Sequence, residues 1–219
     1  MFDEKPITSG LAELGYLRLK KRTFKASWSS ADVEHFLFFS LYSGGHYFIC
    51  QFGMRNPPAE RFALECLRLY AGPAFESVRF DPHYSCSMRF SLGRLARWGF
   101  RSSLTMSEIS QPALADKVKS DVRDLLLPAV RSILAPADLF SLLIKDTEPC
   151  RWLGVSGALR SAMIVYLGRR MGMETRELES MLQPHLIDIV GGVQRGVAPS
   201  SFLSEVLRSA EAVGPLTDR

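Results

Sequence analysis

The sequence predicts an α+β fold: an antiparallel sheet of about four or five strands packed by helices, with an all-helical C-terminal portion. Three observations carry that expectation. Short segments of alternating polarity are confined to the first half, up to about residue 104. Helical periodicity takes over from about residue 107 and runs almost to the end. The two textures follow one another instead of alternating, which argues against a parallel α/β design. The expected division is a mixed part over 1–106, a helical part over 107–213 packed on it as one structural unit, and a tail at 214–219.

Each element has a local reason. Thr8 to Leu14 reads as a short helix closed by Gly15. Tyr16 to Trp28 reads as extended chain bent near Lys20 to Arg22. His35–Tyr42 and Tyr47–Phe52 flank Ser43-Gly44-Gly45-His46, and Gly-Gly suits a primed hairpin turn. Pairing across that turn sets Leu41 opposite Phe48, Phe39 opposite Cys50 and Leu37 opposite Phe52, all on one core face. Phe38, Ser40, Tyr42, Tyr47, Ile49 and Gln51 form the other, mixed face. Asn56-Pro57-Pro58 starts a helix with the stripe Phe62, Cys66, Leu67 and Tyr70, ended by Gly72-Pro73. Val78 to Phe80 reads as a short strand. Ser85 to Leu92 alternates as a half-buried strand, with Cys86, Met88, Phe90 and Leu92 inward.

In the helical half, Leu114, Val118, Val122, Leu125, Leu126, Ala129 and Ile133 make one long stripe from Gln111-Pro112. Pro128 falls inside it and predicts a kink. Ala135-Pro136 starts a helix to about Lys145. Ser156 to Met171 is apolar nearly all round, the mark of a central helix, with Ser156 as its cap and Gly172 at its end. Leu178, Met181 and Leu182 make a further stripe, interrupted at Pro184. Gly191-Gly192 mark a loop. Phe202, Leu203, Val206, Leu207 and Ala210 belong to the last helix.

Composition narrows the class. With 47% hydrophobic and 23% charged residues, the chain is globular rather than disordered. Its 219 residues can bury a core without disulfide or metal staples. Apolar runs are too short for a membrane span. Met1-Phe2-Asp3-Glu4-Lys5-Pro6 has acids and a proline where an export signal needs a basic then apolar run, so the expected location is the cytoplasm. The net charge of +4 comes wholly from residues 1–110, where 14 Lys and Arg face 10 Asp and Glu; the remainder balances at 13 and 13. The densest cations are Arg18, Lys20, Lys21, Arg22 and Lys25, with a looser group at Arg89, Arg94, Arg97 and Arg101.

Catalytic signatures are absent from the sequence: no phosphate-binding glycine loop, dinucleotide fingerprint, zincin helix or serine elbow occurs. Val155-Ser156-Gly157 resembles part of an elbow but lacks the preceding strand. Asp81-Pro82-His83 reads as a turn, and Glu174, Glu177 and Glu179 as dipole partners on a wet helix face. Cys50, Cys66, Cys86 and Cys150 form no Cys-x-x-Cys pair, so no metal site or cofactor is expected and the thiols read as buried hydrophobes.

Gly15-Tyr16-Leu17-Arg18-Leu19-Lys20-Lys21-Arg22-Thr23-Phe24, the hairpin ending Tyr47-Phe48-Ile49-Cys50-Gln51-Phe52-Gly53, and Cys86-Ser87-Met88-Arg89-Phe90-Ser91-Leu92 together resemble a bacterial domain family of unknown function. Its members share a basic Gly-aromatic-Lys-Lys…Thr-Phe opening, an apolar hairpin and a Cys-x-x-Arg strand. The likeness spans about residues 11–145, and the family's glycine after the Lys pair is absent here, where Arg22 stands. The resemblance implies an α+β fold and no catalytic residue. Small proteins of this sort resemble immunity proteins encoded beside contact-dependent bacterial toxins.

The expected function is therefore that of a non-enzymatic cytoplasmic binding protein, an immunity protein neutralising a toxin. Its binding residues are Arg18, Lys20 and Arg22, projecting on one side of an extended strand while Leu17 and Leu19 face inward, and Phe38, Tyr42 and Tyr47 on the mixed hairpin face. The alternative is an enzyme or binding module acting on nucleic acid or a phosphorylated substrate through the basic segment and the scattered Asp81, His83 and Arg89, with His83, Cys86 and Arg89 gathered in a pocket.

Overall fold

A computed structural model of the chain describes residues 2–77, 88–99, 102–145, 157–183, 186–189 and 193–214. The described residues fall in two compact units that interleave in sequence. One is drawn from within 1–54 and 88–135, the other from within 55–87, 136–147 and 155–219, so neither boundary falls at residue 106.

The first unit is the α+β part. Helix α1 (Lys5–Glu13) ends at Leu14 and Gly15, whose φ of +84° is the left-handed geometry glycine adopts without strain. Strands β1 (Tyr16–Lys20), β2 (Thr23–Ala26), β3 (Glu34–Tyr42), β4 (Tyr47–Arg55) and β5 (Met88–Ser91) form an antiparallel sheet in that order. A two-residue strand β6 (Leu104–Thr105) pairs with β4 through Tyr47 and Phe48. The hairpin turn between β3 and β4 has Gly44 at φ +68° and Gly45 at φ +96°, the pair of positive values a primed turn demands. The His46 N–H donates to the Ser43 carbonyl at 3.3 Å across it.

Leu37, Phe39, Phe48, Cys50 and Phe52 are buried on one sheet face as the alternation predicts, and Leu41 at the hairpin end is half-buried. Short helix α3 (Leu92–Leu95) follows β5. The inner face is closed by α1 and by α4 (Gln111–Asp121), whose Leu114, Ala115 and Val118 are buried. Trp98 joins the layers: its ring lies 6.1 Å from Phe48, and its indole N–H donates to Asp121 Oδ2 at 2.7 Å.

Beyond α4 the helix widens into a π-turn, Val122–Leu126, before α5 (Leu127–Val130). Pro128 carries no N–H to continue an α-helical ladder, and the wider turn absorbs the defect. One consequence corrects the expected stripe. Leu126 and Val130 are buried while Leu125 and Ala129 are exposed, because the π-turn moves the apolar phase on by one residue.

The second unit is helical: α2 (Pro57–Tyr70), α6 (Pro136–Ile144), α7 (Gly157–Arg170), α8 (Thr175–Leu182), α9 (Leu186–Ile189) and α10 (Pro199–Ser209). Asn56 caps α2 by accepting the Ala59 N–H at 2.9 Å. The buried stripe of α2 is Ala59, Glu60, Ala63, Leu64, Cys66 and Leu67, turned from the expected one so that Phe62 and Tyr70 are half-buried. Central helix α7 buries Ala158, Leu159, Ala162, Met163, Val165 and Leu167 against α2, α6 and α10. Its interrupting Arg160 donates from Nε to the Leu143 carbonyl at 2.6 Å. The expected strand at Val78–Phe80, the Ser156 cap, Pro184 and Gly191-Gly192 lie outside the described residues.

Candidate functional site

The six sequence-predicted binding residues divide between two surfaces of the first unit, and a bulge in β1 makes the division. Leu17 pairs with Lys25 and Arg18 with Phe24, but Lys20 pairs with Thr23, so one extra residue is inserted between Arg18 and Lys20. Phe24 lies on the core face, which puts Arg18 on that side at the sheet's end. Thr23 pairs with Phe38 on the opposite face, which puts Lys20 there. The expected single row of Arg18, Lys20 and Arg22 is therefore broken. Leu17 and Leu19 do not anchor it inward either: they are 59% and 50% exposed. Tyr16 supplies the inward contact instead, at 1% exposure.

The first surface is the outer sheet face. The cross-strand rows Leu17–Lys25–Phe36 and Lys20–Thr23–Phe38 run across β1, β2 and β3. Along β3, alternation carries the same face from Phe38 to Tyr42, which is 54% exposed, and Tyr47 and Ile49 on β4 are half-buried beside it. Phe36 is itself buried and stacks on Phe38 with centroids 6.0 Å apart. The Arg89 guanidinium lies over the Phe38 ring at 4.4 Å, within cation–π range. Lys25 is held by Glu34 at 2.5 Å. Three of the predicted residues beside Lys20 thus share a face: Phe38, Tyr42 and Tyr47.

The second surface is a cleft of about 660 Å³ at the hairpin end, lined by Phe2, Glu4, Lys21, Arg22, Leu41 and Met106 among others. Arg18 and Arg22 meet here on Glu4. Arg22 Nε donates to Glu4 Oε1 at 2.7 Å, and the Arg18 guanidinium donates to Oε2 at 3.2 Å. Arg22 also lies 6.0 Å over the Phe39 ring. It stands at φ +60°, in the left-handed region, in the turn between β1 and β2. Glu4 escaped the sequence reading because its partners are 14 and 18 residues away, joined only when β1 and β2 fold back on α1.

Buried titratable groups in this unit belong to the core. His35 is fully buried between Trp28 and Phe52, with ring centroids at 4.4 and 5.7 Å. Its Nε2 lies 2.7 Å from the Ile133 carbonyl, which makes Nε2 the protonated nitrogen. Burial pulls its pKa down to about 4 against the opposing effect of that hydrogen bond. Burial also pushes the thiol of Cys50 well above the usual range, and does the same to Cys66 on α2 of the second unit; both are free and buried. Among the described residues no three His, Cys, Asp or Glu side chains are grouped to hold a metal ion, and no helix is long and apolar enough to cross a membrane. Asp81, His83, Cys86 and Cys150 lie outside the described residues, as does the suggested convergence of His83 and Cys86 with Arg89. Compared with known proteins, the chain matches no family model, no curated protein and no solved structure.

Proposed function

We propose that this chain is a non-enzymatic binding protein of the cytoplasm that docks an acidic protein partner on the outer sheet face of its first unit. One observation carries the reading: Leu17 and Leu19 on β1 and Tyr42 on β3 stand 59%, 50% and 54% exposed, with Lys20 on β1, Lys25 opposite Leu17 on β2 and Phe38 on β3. Exposed aliphatic and tyrosine side chains on a face that also carries cations match a protein interface, whose centre is apolar and aromatic and whose rim is charged. Leucines contribute little to a nucleic-acid surface, which is built from phosphate-binding cations and base-stacking rings. A toxin neutralised by occlusion is the partner class that the family resemblance suggests.

The test is capture from the native host with two baits, the wild-type chain and a Leu17→Ser/Tyr42→Ser variant. Both substitutions replace exposed side chains, so the fold is expected to survive, which circular dichroism checks. A protein retained by the first bait and lost by the second, with an acidic surface of its own, supports the reading. Submicromolar binding of wild type to a random single-stranded RNA or duplex DNA at about 0.15 M salt favours the nucleic-acid alternative and overturns it.

A further inference from the structure

Glu4 occupies an unusual position for a carboxylate at a helix start. It precedes the first residue of α1, yet its side chain makes no capping hydrogen bond to the helix. Both carboxylate oxygens turn instead to Arg22 and Arg18, at 2.7 and 3.2 Å. Two guanidiniums converge on one carboxylate, and Lys21 lines the same cleft, so the site stays net positive with Glu4 in place. Arg22 sits at φ +60° in a tight turn, a conformation open to glycine and unfavourable for arginine. The side chain at that position is kept at the expense of backbone comfort, an outlier of the kind that collects at binding sites. The Arg22 side chain is only 29% exposed and the Glu4 side chain 16%, so the ion pair is half-shielded from water. Beside it the cleft of about 660 Å³ presents apolar Phe2, Leu41 and Met106. Cations above an apolar lining fit a peptide that carries both acid and aliphatic side chains. They fit a bare phosphate less well, since it offers nothing to the apolar wall.

We propose that Arg18 and Arg22 form a carboxylate clamp, that Glu4 holds it in the free protein, and that an acidic-aliphatic peptide segment of a protein partner displaces Glu4 on binding. This rests on the protein-partner reading for the source of the segment but uses a different surface. The probe is a blocked, dye-labelled hexapeptide of alternating glutamate and leucine, followed by fluorescence anisotropy. Glu4→Gln removes the internal competitor, and its affinity for the probe is expected to rise at least tenfold over wild type. Glu4→Gln/Arg18→Ala/Arg22→Ala is expected to lose that gain. A control peptide with glutamine for glutamate should bind neither form. Equal affinity in wild type and Glu4→Gln, or equal binding of the control peptide, overturns the proposal. So does inorganic phosphate competing as well as the peptide. Should the Glu4→Gln chain fail to fold, the wild type answers alone: saturating probe must move the Glu4 carboxylate carbon resonance to its solvent-exposed position, and an unmoved resonance overturns the clamp. Failure of the clamp with the outer-face partner still retained removes this inference only; loss of that partner's capture removes the reading above it.

Discussion

At the scale of single residues, the most consequential side chain outside the binding surfaces is His35. It is fully buried, packed between the tilted rings of Trp28 and Phe52, and bonded through Nε2 to the Ile133 carbonyl. A second proton would place a charge among the aromatic rings of the core, so burial holds the folded pKa near 4, below the ordinary 6.5. Between about pH 6.5 and 4 the unfolded chain takes a proton that the folded chain refuses, so stability is fully present above 6.5 and declines as pH falls toward 4. The gap corresponds to about 3 kcal/mol, at 1.36 kcal/mol per pH unit. Urea unfolding of wild type and His35→Phe across pH 4–7 is the measurement. Wild type should lose about that amount relative to the variant as pH falls, whatever their offset at neutral pH. Parallel curves would remove His35 from the acid response. Sequence alone does not reveal this role, since a histidine bordering a hairpin gives no sign of the backbone carbonyl that meets it from residue 133.

At the scale of elements, local chemistry made much of the fold legible. The Gly44-Gly45 turn, the Asn56 cap, the closing Gly15 and the inward set of β3 and β4 all follow from neighbours in the chain, and all stand in the structure. The β1–β2 turn shows where that logic ends. Period-two alternation puts Arg18, Lys20 and Arg22 in one row, but the bulge before Lys20 reverses the phase, and no residue type announces a bulge formed by leucine. Likewise Pro128 signals a break, yet not that the break takes the form of a π-turn moving burial from Leu125 to Leu126. The turn offers a clean test of its own geometry. Arg22→Ala and Arg22→Gly both remove the ion pair to Glu4 and the contact with Phe39, so they differ only in the backbone. Left-handed geometry costs a non-glycine residue about 1–2 kcal/mol. Glycine's larger unfolded-state entropy takes back about 0.4–1 kcal/mol. The Gly variant should therefore be the more stable by about 0.5–1 kcal/mol in equilibrium unfolding. An Ala variant as stable as the Gly variant would mean that the turn relaxes out of the left-handed region once the guanidinium is gone.

At the scale of the whole molecule, the two units draw on interleaved stretches of chain, and no local pattern encodes that interleaving, because it depends on contacts made across long sequence separations. Charge, by contrast, is a whole-chain property that sequence states outright: +4 net, with the entire surplus in residues 1–110. An excess of this kind acts through its long-range field, so it should speed encounter with an acidic partner more than it tightens the final complex. Leu17 and Tyr42 of the outer face act only at contact, so they should govern how long the complex lasts. The two contributions separate in a binding experiment on the captured partner. Raising salt from about 0.05 to about 0.5 M shortens the screening length from over 10 Å to about 4 Å, and the association rate constant should fall by about tenfold while the dissociation rate constant stays within about twofold. Leu17→Ser/Tyr42→Ser should do the reverse, leaving association nearly unchanged and speeding dissociation by about tenfold or more. Lys20→Ala should reproduce part of the salt effect without altering dissociation. If salt acts instead on dissociation alone, the cations are in contact with the partner and desolvated by it, and steering is not their role.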